Sequence, residues 1–548
     1  MGANPNSYEI GAPPNLEPPR TFARNGRKAS APPSFQSSEE EFAWTLFIVL
    51  APLVLIDALY HAAAKGLWFD EILTVLVPSQ DKVSSMWDIL FRGMTSHPPT
   101  FYLIEHVMDK LGGNENITLR LPSIAAFLCV MVCMFVFLRR RAGGLIAVVS
   151  TAALLVTSLY DFYAFEARPY DLMVACIAIA LLCYERAGSI RWALLLGLAL
   201  AAASALNFYA VLAFFPFGLA ELTHLVTERK FRPQVWLAFL AGGLPYFAFW
   251  PILRTQRLLF GAHFWAAPTL WRFANTFGEL LYLGTPFSCA MFGAAFIYLA
   301  YLALSGNVGR RPTSASGLGF TLSDVALTLG FLAIPLVTLV AAKIGHGAFA
   351  LRYVIATALG ISLALGLILS RLKRSAVVSV GLFVLCVFVF QEASFWSLAR
   401  RPQGAPDPIQ VPSQMATDLN LPLVISNGLV FVPVWYHAND DLKSRLFFLA
   451  DPQEQYAASG NDTTTIQMLT LKDWPKMNIE GFPDFARNHR KFLIYSDGDA
   501  QDFWPRLLIQ RGYSLRTVAV DAATLSVTDG APTPPKAIVY LVDLDERK

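Results

Sequence analysis

Leu121-Pro122-Ser123-Ile124-Ala125-Ala126-Phe127-Leu128-Cys129-Val130-Met131-Val132-Cys133-Met134-Phe135-Val136-Phe137-Leu138 runs without a charge directly into Arg139-Arg140-Arg141. A helix of that length crosses about 30 Å of hydrocarbon, and a basic cluster at one end marks a cytoplasmic flank. Similar apolar runs occur near 43–61, 143–160, 169–184, 192–208, 209–226, 234–252, 283–304, 323–342, 353–370 and 375–391. The pair 192–208 and 209–226 is nearly continuous, and it is split because about 35 apolar residues exceed one span. The expected architecture is an α-helical polytopic membrane protein with about 11 transmembrane helices.

Composition agrees. Of 548 residues, 55% are hydrophobic and only 15% charged, against roughly 25% charged in a soluble domain. Mean hydropathy is +0.46. So little polar surface implies an exterior facing lipid. The net charge of +3 is weak, and no basic stripe is interleaved with exposed aromatics, so no nucleic-acid partner is expected. The six cysteines all lie in apolar runs without metal spacing and read as small packing residues. Residues 1–41, rich in Pro, Ser, Asn and Gly, read as a disordered tail and not a signal peptide.

Orientation follows from Lys and Arg placement. With the N-terminus in the cytoplasm, the inside loops hold Arg139–Arg141, Arg186 with Arg191, Arg229, Lys230 and Arg232, Arg310-Arg311, and Arg371, Lys373 and Arg374. An inner (plasma) membrane protein in this orientation exposes loop 62–120, the turn near 161–168, loop 253–282 and the tail 392–548 on the extracytoplasmic side. That tail alternates apolar runs (422–426, 429–433, 492–496, 515–520 and 537–542) with polar turns, and 503–510 reads as a helix. A small extracytoplasmic α/β domain is expected there, beyond a membrane domain at 42–391.

The first outer loop carries most of the candidate chemistry. In Trp68-Phe69-Asp70-Glu71-Ile72-Leu73-Thr74-Val75-Leu76, helical periodicity sets Trp68, Phe69, Ile72, Leu73, Val75 and Leu76 against Asp70, Glu71 and Thr74. This predicts an amphipathic helix along the membrane surface, its acids turned from lipid. Pro98-Pro99 then starts a second surface helix, with His97 at its N-terminus. Tyr102, Glu105, His106 and Asp109 fall on one face of it, and Leu103, Ile104, Val107, Met108 and Leu111 on the other. Glu166, Arg168, Tyr170 and Asp171 gather at the outer mouth of the fourth span, and His346, Arg352 and Tyr353 at that of the tenth. Asn207, Tyr209, Arg254, Arg257 and His263 are weaker candidates on the same side. Each cluster has a plainer reading: a solvated helix face, a turn histidine or an interfacial anchor. Their convergence on one side suits transfer from an anionic lipid. A carboxylate removes a proton from an attacking hydroxyl, and arginines hold a departing phosphate.

Trp68-Phe69-Asp70-Glu71, His97-Pro98-Pro99 with Tyr102, Arg120-Leu121-Pro122, Ala167-Arg168-Pro169-Tyr170 and Arg352-Tyr353 occur in that order. Together they resemble the bacterial family 39 and family 83 glycosyltransferases. This GT-C-fold group includes protein O-mannosyltransferases and the lipid A aminoarabinose transferase. The resemblance covers roughly residues 42–370, and the tail 392–548 shows none. It implies a sugar donor on a polyprenyl phosphate, a hydroxyl acceptor (protein, glycan or lipid) at the extracytoplasmic face, and inversion at the anomeric carbon. It implies Asp70 as base, with Glu71 assisting it or orienting the acceptor. His97, Arg168, Tyr170, Arg352 and Tyr353 would bind the donor phosphate. Tyr102, Glu105 and Glu166 are candidates for acceptor or metal contact, so a divalent metal is an open cofactor. Some relatives carry a lysine near the second loop helix, where this chain has His97. A lipid-linked glycan flippase would place ionisable residues mid-span, and a non-catalytic assembly protein would need no such convergence.

Overall fold

The computed structural model describes residues 35–80, 82–95, 97–261, 263–305, 319–399, 410–472, 475–499, 501–521 and 537–547. The eleven apolar runs are mostly helical, and among the described residues five helices, or seven if each bent pair is one span, are long and apolar enough to cross a membrane. Phe35–Ala64, Leu121–Ala142, Thr285–Leu304 and Arg374–Ala399 are long single helices, and 208–228 crosses as a 3₁₀ turn leading into Phe214–Glu228. Two expected spans are broken: Pro233–Ala248 meets Trp250–Phe260 at 58°, and Leu322–Leu332 meets Ile334–Gly345 at 52°. Gly144–Val156, Ile190–Leu206 and Thr357–Leu369 are shorter apolar helices. A 13-residue helix such as Thr357–Leu369 is about 20 Å long, less than a bilayer's hydrocarbon core. The protein is a multi-pass membrane protein in which the short helices Gly144–Val156 and Thr357–Leu369 are largely buried, while Ile190–Leu206 exposes Leu194 and Leu198. Ile48, Leu53 and Ile56 on the first helix and Leu385, Val389 and Phe390 on the last apolar helix are exposed, as suits side chains facing lipid. Of the expected tail, residues 1–34 lie outside the described residues, and helix already begins at Phe35. Arg310 and Arg311 also lie outside them.

Close packing at the centre depends on glycine. A Cβ at Gly330 would sit 2.5 Å from the Cα of Pro216, and one at Gly360 2.9 Å from the Leu332 nitrogen. Gly330→Ala should therefore cost about 1–3 kcal/mol of stability, seen as an earlier thermal transition in detergent. A transition within error of wild type would contradict this packing.

Charges sort to the two ends of the bundle. At one end Arg139 pairs with Glu40 at 2.6 Å, and Arg141 with both Glu185 at 2.8 Å and Asp324 at 3.1 Å. Arg374 lies 3.7 Å from Glu39 in the same layer. The opposite end carries the candidate site.

The two helices of the first outer loop differ in their settings. The helix Phe69–Leu76 does not lie on a membrane surface: Phe69, Glu71, Ile72, Leu73, Thr74, Val75 and Leu76 are all buried, and its apolar residues pack with Phe431, Met468 and others of the C-terminal region. The second helix, Pro99–Leu111, buries its polar Tyr102 and Glu105 and exposes apolar Leu103, Val107 and Leu111. That is inside-out for water and right for lipid.

The C-terminal region holds one six-stranded sheet. β1 (Leu423–Ile425), β2 (Leu446–Leu449), β3 (Ile479–Glu480) and β4 (Lys491–Ser496) are parallel, and β5 (Tyr513–Asp521) and β6 (Ala537–Arg547) add an antiparallel edge, in the order β3-β2-β1-β4-β6-β5. The run 429–433, grouped with the strand-like segments, is instead part of the helix Gly428–His437. The Asn427 side chain caps it, accepting from the Leu429 amide at 3.0 Å. The helix Arg374–Ala399 passes the expected boundary at 391 without a break.

Candidate active site

Adjacent residues on a helix point about 100° apart, so Asp70 and Glu71 face different surroundings. Both stand in the first turn of Phe69–Leu76, where the helix dipole favours carboxylates. Glu71 is fully buried against Arg120, whose Nε donates to Oε1 at 2.8 Å and whose Nη2 donates to Oε2 at 2.6 Å. The Ala167 amide adds a 2.8 Å bond to Oε1. Arg120 also donates to the carbonyls of Ala62, Lys65 and Gly66 at 2.7, 2.6 and 3.1 Å. All five donors of its guanidinium are thereby used. The pair ties the end of the first span, the site helix and the 166–168 segment together.

Asp70 faces a cavity of about 60 Å³ whose walls include Arg168, Arg352, Tyr170, Tyr353 and Trp265. Its Oδ2 accepts from Arg352 Nη1 at 2.7 Å and lies 3.5 Å from Arg168 Nη2. Burial pushes the Asp70 carboxyl up, but the charges of Arg168 and Arg352 outweigh it and hold the group below its ordinary range. Arg168 also donates to the Asp70 carbonyl at 3.1 Å, to Thr74 Oγ1 at 3.3 Å and to His97 Nε2 at 2.8 Å. The Tyr170 hydroxyl is 3.5 Å from it. Arg352 sits over the Trp265 ring, 4.9 Å from its centroid, and Tyr353 stacks on Tyr209 at 3.8 Å.

Burial, then the charges of Arg168 and Arg352, drive the His97 imidazole well below its usual range. A neutral ring is what its acceptance of the Arg168 N–H requires. His97 thus stands one contact behind the cavity. Tyr102 and Glu105 are buried in the second loop helix, and burial raises both, Glu105 further through the charge of Glu71. Neither Glu105 oxygen has a hydrogen-bond partner among the described residues. Glu166 accepts from Lys65 Nζ at 3.0 Å.

Burial outweighs the Lys65 charge and pushes Glu166 up to about 7. A carboxyl with a raised folded pKa binds protons that the unfolded chain has released, so stability falls as pH rises from about 4.5 through 7. The loss is on the order of 3 kcal/mol, and Glu166→Gln should flatten this part of a thermal stability profile. An unchanged slope would contradict the assignment.

The structure brings Asp70, Arg168, Tyr170, Arg352 and Tyr353 to one cavity, and sets His97, Tyr102, Glu71, Glu105 and Glu166 behind it. Other wall residues had no signal in the sequence. Gln256 donates to the carbonyls of Gly93 and Thr95 at 3.1 and 2.5 Å. Thr463 and Gln467 come from the C-terminal region: Thr463 Oγ1 accepts from the Trp265 amide at 2.9 Å, and Gln467 donates to the Met94 carbonyl at 3.3 Å. Of the weaker candidates, His263 pairs with Asp462 at 3.1 Å, Tyr209 supports Tyr353, and Asn207 caps a 3₁₀ turn. Arg254 and Arg257 are not among the cavity walls. His346 ends the helix Ile334–Gly345 in a left-handed conformation, φ 49°.

The family described as dolichyl-phosphate-mannose-protein mannosyltransferase matches residues 96–253. The fold is similar to crystal structures of ArnT from Cupriavidus metallidurans. The form bound to undecaprenyl phosphate gives a TM-score of 0.55 at 12% identity, covering 91% of this chain and 97% of that one. The apo form gives 0.58 at 12% identity, covering 91% and 98%. No curated protein gives a significant match.

Proposed function

We propose that this chain, which has the GT-C glycosyltransferase fold, moves a sugar from a polyprenyl-phosphate donor to a hydroxyl acceptor, with inversion, at the extracytoplasmic face. The observation that carries the reading is the Asp70 carboxylate held between two largely buried guanidinium groups in an aromatic-walled cavity. Arginine forks match phosphate geometry, and an anion is what such a pair lacks once Asp70 is otherwise engaged. The mannosyltransferase family match over 96–253 and undecaprenyl phosphate in a structure of similar fold point the same way.

Arg168 and Arg352 take the donor phosphate and so loosen their hold on Asp70. The freed carboxylate, deprived of its cations in a buried setting, becomes a stronger base. It removes the proton of the acceptor hydroxyl as that oxygen bonds to the anomeric carbon. The carbon–phosphate oxygen bond breaks on the opposite side, and the polyprenyl phosphate leaves against the arginines. Neutral His97 and the Tyr170 hydroxyl keep Arg168 aimed, and Tyr353 and Trp265 flank Arg352. Glu71 positions the helix that bears Asp70. Thr463 and Gln467 give the C-terminal region a share of the wall, which fits a part in receiving the acceptor. The basic end of the bundle, around Arg139–Arg141, faces the cytoplasm.

Two measurements test this. Mass spectrometry of envelope glycans and glycoproteins, with the gene intact and deleted, should show a glycan lacking one sugar; identical profiles would argue against transfer. With donor and acceptor in hand, Arg352→Ala should raise the donor KM about 10–100-fold, the worth of one charged hydrogen bond, and leave the acceptor KM near wild type. An unchanged donor KM would reject the phosphate role.

A further inference from the structure

We propose that Asp57, His61 and Glu392 form a divalent-metal site, of the zinc class, that joins the first span to the helix Arg374–Ala399. The Nε2 of His61 lies 2.8 Å from Glu392 Oε2 and 3.7 Å from Asp57 Oδ2. One ligand atom from each residue lies within 4.8 Å of the others, the one such group of His, Cys, Asp or Glu among the described residues. An ion with bonds of about 2.0–2.2 Å holds its donors roughly 3–3.5 Å apart. The three donors need shift by about an ångström to meet one, and a water would complete a tetrahedron.

Two features favour an ion over a plain hydrogen-bonded cluster. The first is charge. Asp57 and Asp161 each face Glu392 and His61, and the nearby cation Lys65 is hydrogen-bonded to Glu166. The second is the histidine, whose side chain is 1% exposed and whose Nε2 faces both carboxylates, 2.8 Å from Glu392 and 3.7 Å from Asp57. A proton on Nδ1 leaves the Nε2 lone pair facing two carboxylates. A cation on Nε2 removes that repulsion, as it does for other imidazole ligands. Tyr160 supplies the outer support such sites use, donating to Asp57 Oδ2 at 2.5 Å.

The place gives the ion a structural use. The His61 ring stacks on Phe395 at 3.8 Å and lies 4.6 Å from Phe165, in the segment that ends at Arg168. Ala62 and Lys65, just beyond His61, accept from Arg120. A metal here would fix the floor on which the arginine-bearing segment rests, outside the site itself.

The test needs no transfer assay. The full chain, purified in detergent and stripped with chelator, is loaded with Zn²⁺, desalted, and its zinc counted. Wild type should retain one equivalent more than Glu392→Gln or Asp57→Asn. Zn²⁺ should raise the unfolding temperature of wild type only, and Co²⁺ should give a visible absorption band that both variants lose. Equal zinc in folded wild type and variants, or no effect of Zn²⁺ on wild-type unfolding, would overturn the site and leave a hydrogen-bonded cluster. Should the ligand variants not fold, Tyr160→Phe keeps all three ligands and should bind Zn²⁺ about 10–100-fold more weakly; undiminished binding would equally overturn it.

Discussion

Asp70→Asn should lower kcat by about 10²–10⁴-fold, the usual worth of a positioned base, while the protein remains folded. The amide is nearly isosteric and keeps an oxygen for Arg352, but it accepts no proton at neutral pH. Removing the charge also relieves Arg168 and Arg352 of their competitor, so the donor should bind at least as tightly as in wild type. A split in which kcat collapses and the donor KM holds or falls separates a base from a residue that merely shapes the cavity. Near-normal turnover would reject Asp70 as the base.

The adjacent acid should behave in the opposite way. Glu71→Gln leaves Arg120 charged, fully buried and without its carboxylate. Breaking a buried pair from one side costs roughly 3–5 kcal/mol. The expected result is loss of folded protein, measured as detergent-soluble yield and unfolding temperature, before any question of turnover arises. Glu71→Gln combined with Arg120→Met removes both charges and should recover part of the loss. Recovery stays partial because Arg120 also holds the Ala62, Lys65 and Gly66 carbonyls. A stable, inactive Glu71→Gln protein would instead move Glu71 into the chemistry.

Apolar runs closed by arginines were legible because bilayer thickness imposes a length that few soluble helices share. The bends at 58° and 52° were not, since two half-length helices have the same composition as one span. The first outer loop was legible as two helices with acids in helical register. Its setting was not, because the C-terminal region that covers Phe69–Leu76 is remote in the chain. The same distance hid the division of labour between Asp70 and Glu71: adjacency is visible, while Arg120 and Arg352 as their respective partners are set by folding. Short strand-like runs misled at 429–433, where an apolar stretch fits helix or strand equally; Asn427 in front of it was the unused capping signal. Gln256, Trp265, Thr463 and Gln467 are ordinary residues made part of the wall by position alone.

In the proposed reaction the donor phosphate replaces Asp70 as the anion at Arg168 and Arg352. A cryo-EM structure of the protein with undecaprenyl phosphate tests it directly. The expected density puts the phosphorus between the two guanidinium groups, with the 2.7 Å Asp70–Arg352 contact opened and the carboxylate turned toward the cavity. Phosphate bound elsewhere, or seated there with the Asp70–Arg352 pair intact, would contradict the account.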